Sequence, residues 1–143
     1  MTDVFVDTSA WMAVLDAGDV HHRAATAYQE QIADRCRLVV TNYILDELFT
    51  LSLMTLGYRR SVDIKHTLDQ LHRSGALEVV WVDPPLADAG WSVFERFNQD
   101  KLWSFTDCVS FALIRARAIP AAFAFDHHFD QMGIPRQPAE KPA

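Results

Sequence analysis

The chain has 143 residues, half of them hydrophobic, with 13 Lys and Arg against 19 Asp and Glu and a formal charge of −6. That length suits one domain with a real core, and the acidic balance argues against a protein that grips nucleic acid by bulk positive charge. Two cysteines are too few for a disulfide framework, and no uncharged apolar run is long enough to span a bilayer, so a soluble cytoplasmic protein is expected.

Val4–Val6 reads as a short buried strand ending at Asp7, followed by a helix capped by Thr8 or Ser9 and broken at Gly18–Asp19. A second helix is expected over Val20–Ala33 and a second strand over Leu38–Val40. Thr41 or Asn42 then caps a long helix ending near Gly57. Arg59–Arg73 forms a further helix, Leu77–Val82 a strand closed by Pro84 and Pro85, and Leu86–Phe97 a helix. Thr106 is expected to cap a helix running to Ala118, with a last strand over Ala121–Phe125 stopping at Asp126. One domain over 1–134 and a loose, proline-rich tail over 135–143 complete the reading.

Strands that are apolar on both faces and alternate with helices predict an α/β fold with a parallel sheet covered on both sides. Ligands of such sheets bind beyond the carboxyl ends of the strands. Asp7 and Asp126 both stand at such ends. Asp107 opens a helix before the Asp126 strand, lying either at the incoming turn or across the same edge, and Glu47 points inward from the helix after Val40. Four ionised carboxylates repel one another, so gathering them calls for a divalent cation, and hard oxygen ligands suit Mg²⁺ or Mn²⁺. Such a cation supports phosphodiester hydrolysis. Each acid also has an ordinary explanation: Asp7 as a helix cap, Asp107 as a first-turn acid, Glu47 as solvated surface, Asp126 as a turn residue.

Four stretches together, Val-Asp-Thr-Ser-Ala-Trp at 6–11, Thr-Asn-Tyr-Ile-Leu-Asp-Glu-Leu at 41–48, Ser-Phe-Thr-Asp-Cys-Val-Ser-Phe-Ala-Leu at 104–113 and Ala-Phe-Asp-His-His-Phe at 124–129, resemble the acidic motifs of PIN-domain nucleases. The resemblance implies a three-layer α/β/α sandwich around a parallel sheet of four to five strands. It also implies a Mg²⁺- or Mn²⁺-dependent endoribonuclease, often a homodimer. It carries over Asp7, Glu47, Asp107 and Asp126 as the acidic metal-holding set, chooses Glu47 over Asp46, and suggests that Ser104 or Thr106 supplies a hydroxyl near the metal. Compact members of the family are often VapC-type toxins of toxin–antitoxin pairs, which implies RNA as substrate and an antitoxin protein as partner.

Arg59, Arg60, Lys65, His66 and Arg73 fall along one helical region where they can steer an RNA backbone or simply form a solvated face. Trp103 and Phe105 suit base stacking or, more simply, core packing, and Cys108 reads as a small core residue. His127 and His128 stand beside Asp126 as proton-transfer candidates, with surface placement as the simpler reading. Met54 and Leu56 suggest an apolar groove for a partner. Two other readings are a metal-dependent phosphatase and a PIN-fold RNA-processing or binding module without a toxin role. The phosphatase needs a second Asp two residues after the nucleophile, where this chain has Ser9 after Asp7.

Overall fold

The structure, a computed structural model, describes residues 1–139. Five strands, β1 (Thr2–Val6), β2 (Cys36–Thr41), β3 (Leu77–Val80), β4 (Ala122–Phe123) and β5 (Arg136–Gln137), form one sheet in the order β3-β2-β1-β4-β5. Every neighbouring pair is parallel. Seven helices connect them: α1 (Thr8–Leu15), α2 (His22–Ile32), α3 (Asn42–Leu56), α4 (Tyr58–Arg73), α5 (Pro84–Phe97), α6 (Phe105–Arg117) and α7 (His128–Gln131). No helix among the described residues is long and apolar enough to cross a membrane.

Parallel strands take right-handed crossovers. From β1 to β3 the chain steps in one direction, and from β3 to β5 it returns past β1 to the other side. That order puts α1–α4 on one face and α5–α7 on the other, giving three layers. The packing agrees, with α1 against α2 and α3, α3 against α4, and α5 against α6. Val4, Phe5, Val6, Val39, Val40, Ala122 and Phe123 are all buried, as a sheet covered on both sides requires. The direction of winding reverses between β1 and β4, and a crevice opens there at the carboxyl edge.

Several boundaries differ from expectation for local reasons. Asp7, not Thr8 or Ser9, caps α1, because its carboxylate accepts from the Ser9 backbone N–H. Pro84 and Pro85 open α5 instead of closing β3; Asp83 caps that helix, and proline has no N–H to leave unpaired in a first turn. Ser104, not Thr106, caps α6 through a reciprocal capping box with Asp107. β4 is only two residues long because, beyond it, the Phe125 N–H turns away to Ser9 Oγ at 3.0 Å. Part of the segment expected to be a loose tail joins the sheet as β5. The Arg136 side chain, 8% exposed, anchors it by pairing with Asp130 at 3.0 Å. Residues 140–143 of that segment lie outside the described residues.

Candidate active site

The carboxyl edge at β1 and β4 is pinned by the backbone. The Asp7 N–H donates to the Phe123 carbonyl at 3.0 Å, so the end of β1 is tied to the end of β4. Ser9 adds a second tie: its hydroxyl accepts from the Phe125 N–H and donates to Asp7 Oδ2 at 2.6 Å. The first acid is thereby held rigidly beside the loop that carries the fourth.

α6 ends at Arg117 and feeds β4 from the opposite edge of the sheet, so its first turn lies at the carboxyl edge. This resolves the two placements open to Asp107: it reaches the same crevice as Asp7. One crevice is lined by Asp7, Thr8, Ser9, Asp46, Glu47, Ser104, Asp107, Asp126 and His128, with Leu51, Met54 and Leu102 at its apolar parts. All four expected acids are therefore together. Ser104 lines the crevice; Thr106, the second residue of α6, accepts from Ser110 Oγ through its carbonyl and is not among the lining residues. Arg59, Arg60, Lys65 and Arg73 sit on α4, and none lines the crevice. Arg60 donates to the Leu15 carbonyl at 2.8 Å, and Lys65 pairs with Asp69 at 2.6 Å.

The acids keep their ordinary local roles while facing the crevice. Asp7 and Asp107 serve helix ends, and Asp126 Oδ1 accepts from the His128 N–H at 3.0 Å. Glu47 Oε1 accepts from Thr8 Oγ1 at 2.9 Å, which joins α3 to α1. Asp46 is exposed, whereas Glu47 is half-buried, so the choice between these adjacent acids follows the helix face.

Burial first, then the charges of Asp107 and Asp126, with the Ser9 hydroxyl opposing them, together push the Asp7 carboxyl up to about 6. Glu47 is also raised, first by burial and then by Asp107, Asp46 and Asp126, against the Thr8 hydroxyl. No Lys or Arg is among the described residues lining the crevice. Among the described lining residues, the one basic group beside that negative charge is the imidazole of His128, whose Nδ1 lies 2.8 Å from Asp107 Oδ2 and 3.4 Å from Asp126 Oδ1.

Donor atoms of Asp107, Asp126 and His128 all lie within 4.8 Å of one another, close enough to converge on one cation. Two hard carboxylates and an imidazole fit a divalent metal. Cys108 takes no part: it is fully buried, and burial pushes its thiol up to about 11. Trp103 is core, buried edge-on against Phe111, with its indole N–H donating to Gln131 Oε1 at 2.8 Å. Three residues contribute more to the site than their sequence pattern alone predicts. His128, a proton-transfer candidate with the surface as its simpler place, lies against Asp107 and Asp126, and Thr8 and Ser9, expected only as caps, orient Glu47 and Asp7 through their hydroxyls. The signal for both hydroxyls was their place directly after Asp7.

A parallel sheet whose switch point gathers four acids is PIN-domain architecture. The PIN domain family matches residues 4–135, and the chain belongs to that family. It is 33% identical over 132 residues to the 23S rRNA-specific endonuclease VapC20 of Mycobacterium tuberculosis, covering 92% of this chain and 95% of the relative. The crystal structure of that VapC20, a Sarcin-Ricin loop cleaving toxin, matches with a TM-score of 0.80 at 30% identity, over 92% of this chain and 95% of that one. A VapC ribonuclease of Archaeoglobus fulgidus is 31% identical over 107 residues, which is 73% of this chain and 65% of the relative. VapBC2 from Rickettsia felis, bound to a DNA fragment from their promoter, shares the fold alone. Its TM-score is 0.71 at 9% identity, over 95% of this chain and 98% of that one.

Proposed function

We propose that this chain is a divalent-metal-dependent endoribonuclease and the toxin of a toxin–antitoxin pair, acting in the cytoplasm. One observation carries the reading: five carboxylates, the four expected acids and Asp46, line the crevice at the β1/β4 switch point with one imidazole and no Lys or Arg among the described lining residues. An inert module has no reason to keep such a repulsive cluster, and a bound cation relieves it. The similarity to VapC20 supports RNA as the substrate and makes 23S rRNA the first RNA to test. The VapC type also supports an antitoxin partner and a homodimer.

Asp107, Asp126 and His128 would hold the metal, with Asp7 and Glu47 completing the acidic shell. Mg²⁺ or Mn²⁺ bound there supplies polarisation of a phosphoryl oxygen and a more acidic water. Glu47, steadied by Thr8 and raised in pKa, is placed to accept a proton from the attacking water. Asp7 is locked by Ser9 and cannot swing away as charge builds. Ser104 Oγ sits at the crevice wall and supplies the hydroxyl that the family pattern suggests.

The test is cleavage of single-stranded RNA and of 23S rRNA with Mg²⁺ or Mn²⁺. Asp7→Asn and Asp107→Asn are each expected to lower the rate on the order of 100-fold or more. Unchanged cleavage in both variants overturns the assignment.

A further inference from the structure

A nuclease of net charge −6 still has to hold a polyanion, and its catalytic crevice offers no Lys or Arg among the described residues. Most cations near acids are already committed. Arg37, Lys65, Arg117 and Arg136 each pair with a carboxylate. One group on the α5–α6 side differs. A concave site there is lined by Arg96, Lys101 and Arg115 around Phe97, with Asp100, which pairs with Lys101 at 3.0 Å, the one acid among the described lining residues.

Arg96 and Arg115 make no ion pair among the described residues. Both guanidinium groups lie over the Phe97 ring, 5.4 and 6.0 Å from its centroid. Arg115 is further fixed by donating to the Met132 carbonyl at 3.1 Å. Two positioned, planar guanidinium groups suit phosphate oxygens, and their flat faces suit unpaired bases.

The connection between α5 and α6 joins this site to the catalytic crevice. Lys101 and Trp103 line the basic site, whereas the alternating residues Leu102 and Ser104 line the acidic crevice. One short stretch of backbone is the wall between the two. Leu102 is 93% exposed on that wall, an apolar side chain available to a strand crossing it.

From this juxtaposition we infer that Arg96, Lys101 and Arg115 form a second binding site for single-stranded RNA. The site grips the strand's phosphates where it leaves the acidic crevice over Leu102. The inference deepens the proposed ribonuclease reading and rests on it for the direction of the strand. The patch sets affinity for long substrates, while the acids set the chemistry.

The experiment is fluorescence anisotropy with a labelled, mixed-sequence RNA of about 20 nucleotides, measured in EDTA across a salt series. Arg96→Ala with Arg115→Ala is expected to weaken binding about 10-fold and to flatten the log–log salt slope by about 1.4, the share of two phosphate contacts on a single strand. Arg96→Lys with Arg115→Lys is expected to restore the slope. Arg96→Ala alone takes away one guanidinium that lies over Phe97 and is expected to show half the change in slope, which covers the case of a poorly folded double variant. Unchanged affinity and slope, or no RNA binding by the unmodified protein at low salt, overturns the inference. So does displacement of the RNA by polyglutamate at equal charge, which would assign the patch to acidic proteins. Binding in EDTA does not depend on cleavage. A protein that binds through these arginines but cuts no RNA fails the nuclease reading alone, and one that cuts RNA with Arg-independent binding fails this inference alone.

Discussion

His128 Nδ1 stands between Asp107 Oδ2, at 2.8 Å, and Asp126 Oδ1, at 3.4 Å, so one imidazole bridges acids from α6 and from the loop after β4. Asp126 returns the tie by accepting the His128 backbone N–H. Removing the ring leaves two carboxylates facing each other and takes one donor from the cation site. His128→Ala is expected to weaken Mn²⁺ binding by roughly 10-fold or more, in line with losses from groups that orient metal ligands. Calorimetric titration with Mn²⁺ checks this. Equal or tighter binding in the variant would remove His128 from the site.

Asp7 links the site to stability. Its carboxyl is raised to about 6 from 3.8, chiefly by burial. Between those two values the folded chain keeps a proton that the unfolded chain has released, so stability falls as pH rises across the window. Above pH 6 the full cost, on the order of 3 kcal/mol, is in place. Asp7→Asn removes the charge while keeping an oxygen to accept from Ser9. In EDTA at about pH 7.5 the variant is expected to be more stable than the parent chain in urea, with the gain shrinking towards pH 4. Added Mn²⁺ is expected to stabilise the parent more than the variant. A variant no more stable than the parent at the higher pH contradicts this.

Thr8 donates to the ionised form of Glu47, and that bond holds the Glu47 pKa down against burial. Thr8→Val keeps the shape and deletes the donor. The Glu47 pKa then rises further, so the acidic limb of the pH–rate profile is expected to move to higher pH. Activity lost on the acidic limb is expected to return in more alkaline buffer. A profile that falls uniformly, without moving, would give Thr8 a structural role only.

The alternation of apolar strands with helices was enough to predict the parallel sheet, and Asp7 and Asp126 followed from where strands end. What pairs with what was less accessible. β5 has no apolar run; Arg136 within it buries its guanidinium against Asp130 of α7, six residues earlier, a contact that an apolar strand pattern does not reveal. Asp107 had two possible positions because the direction of α6 depends on the crossover from β3 back past β1. Glu47 could be separated from Asp46 only by the motif until α3 showed which face Thr8 meets. The capping box at Ser104 was legible in Ser-Phe-Thr-Asp, but Thr106 offered an equally ordinary cap two residues later.

Gly90 sets how closely α5 approaches α6, and through α6 the position of Asp107. A Cβ at Gly90 would lie 2.6 Å from Val109 Cγ2 and 3.0 Å from Val109 Cα. Val109 is fully buried and two residues from Asp107, so the clash meets backbone as well as side chain. On an isolated helix Gly→Ala gains about 1 kcal/mol, whereas overpacking a core typically costs 1–3 kcal/mol. The backbone contact decides the sign: Gly90→Ala is expected to destabilise by roughly 1–2 kcal/mol in urea. Adding Val109→Ala relieves the 2.6 Å contact but not the one to Val109 Cα, so only partial recovery is expected. Because α6 carries Asp107, Mn²⁺ affinity is expected to fall with stability and to recover with it in the double variant. A Gly90→Ala protein as stable as the parent would show that the two helices separate at no cost.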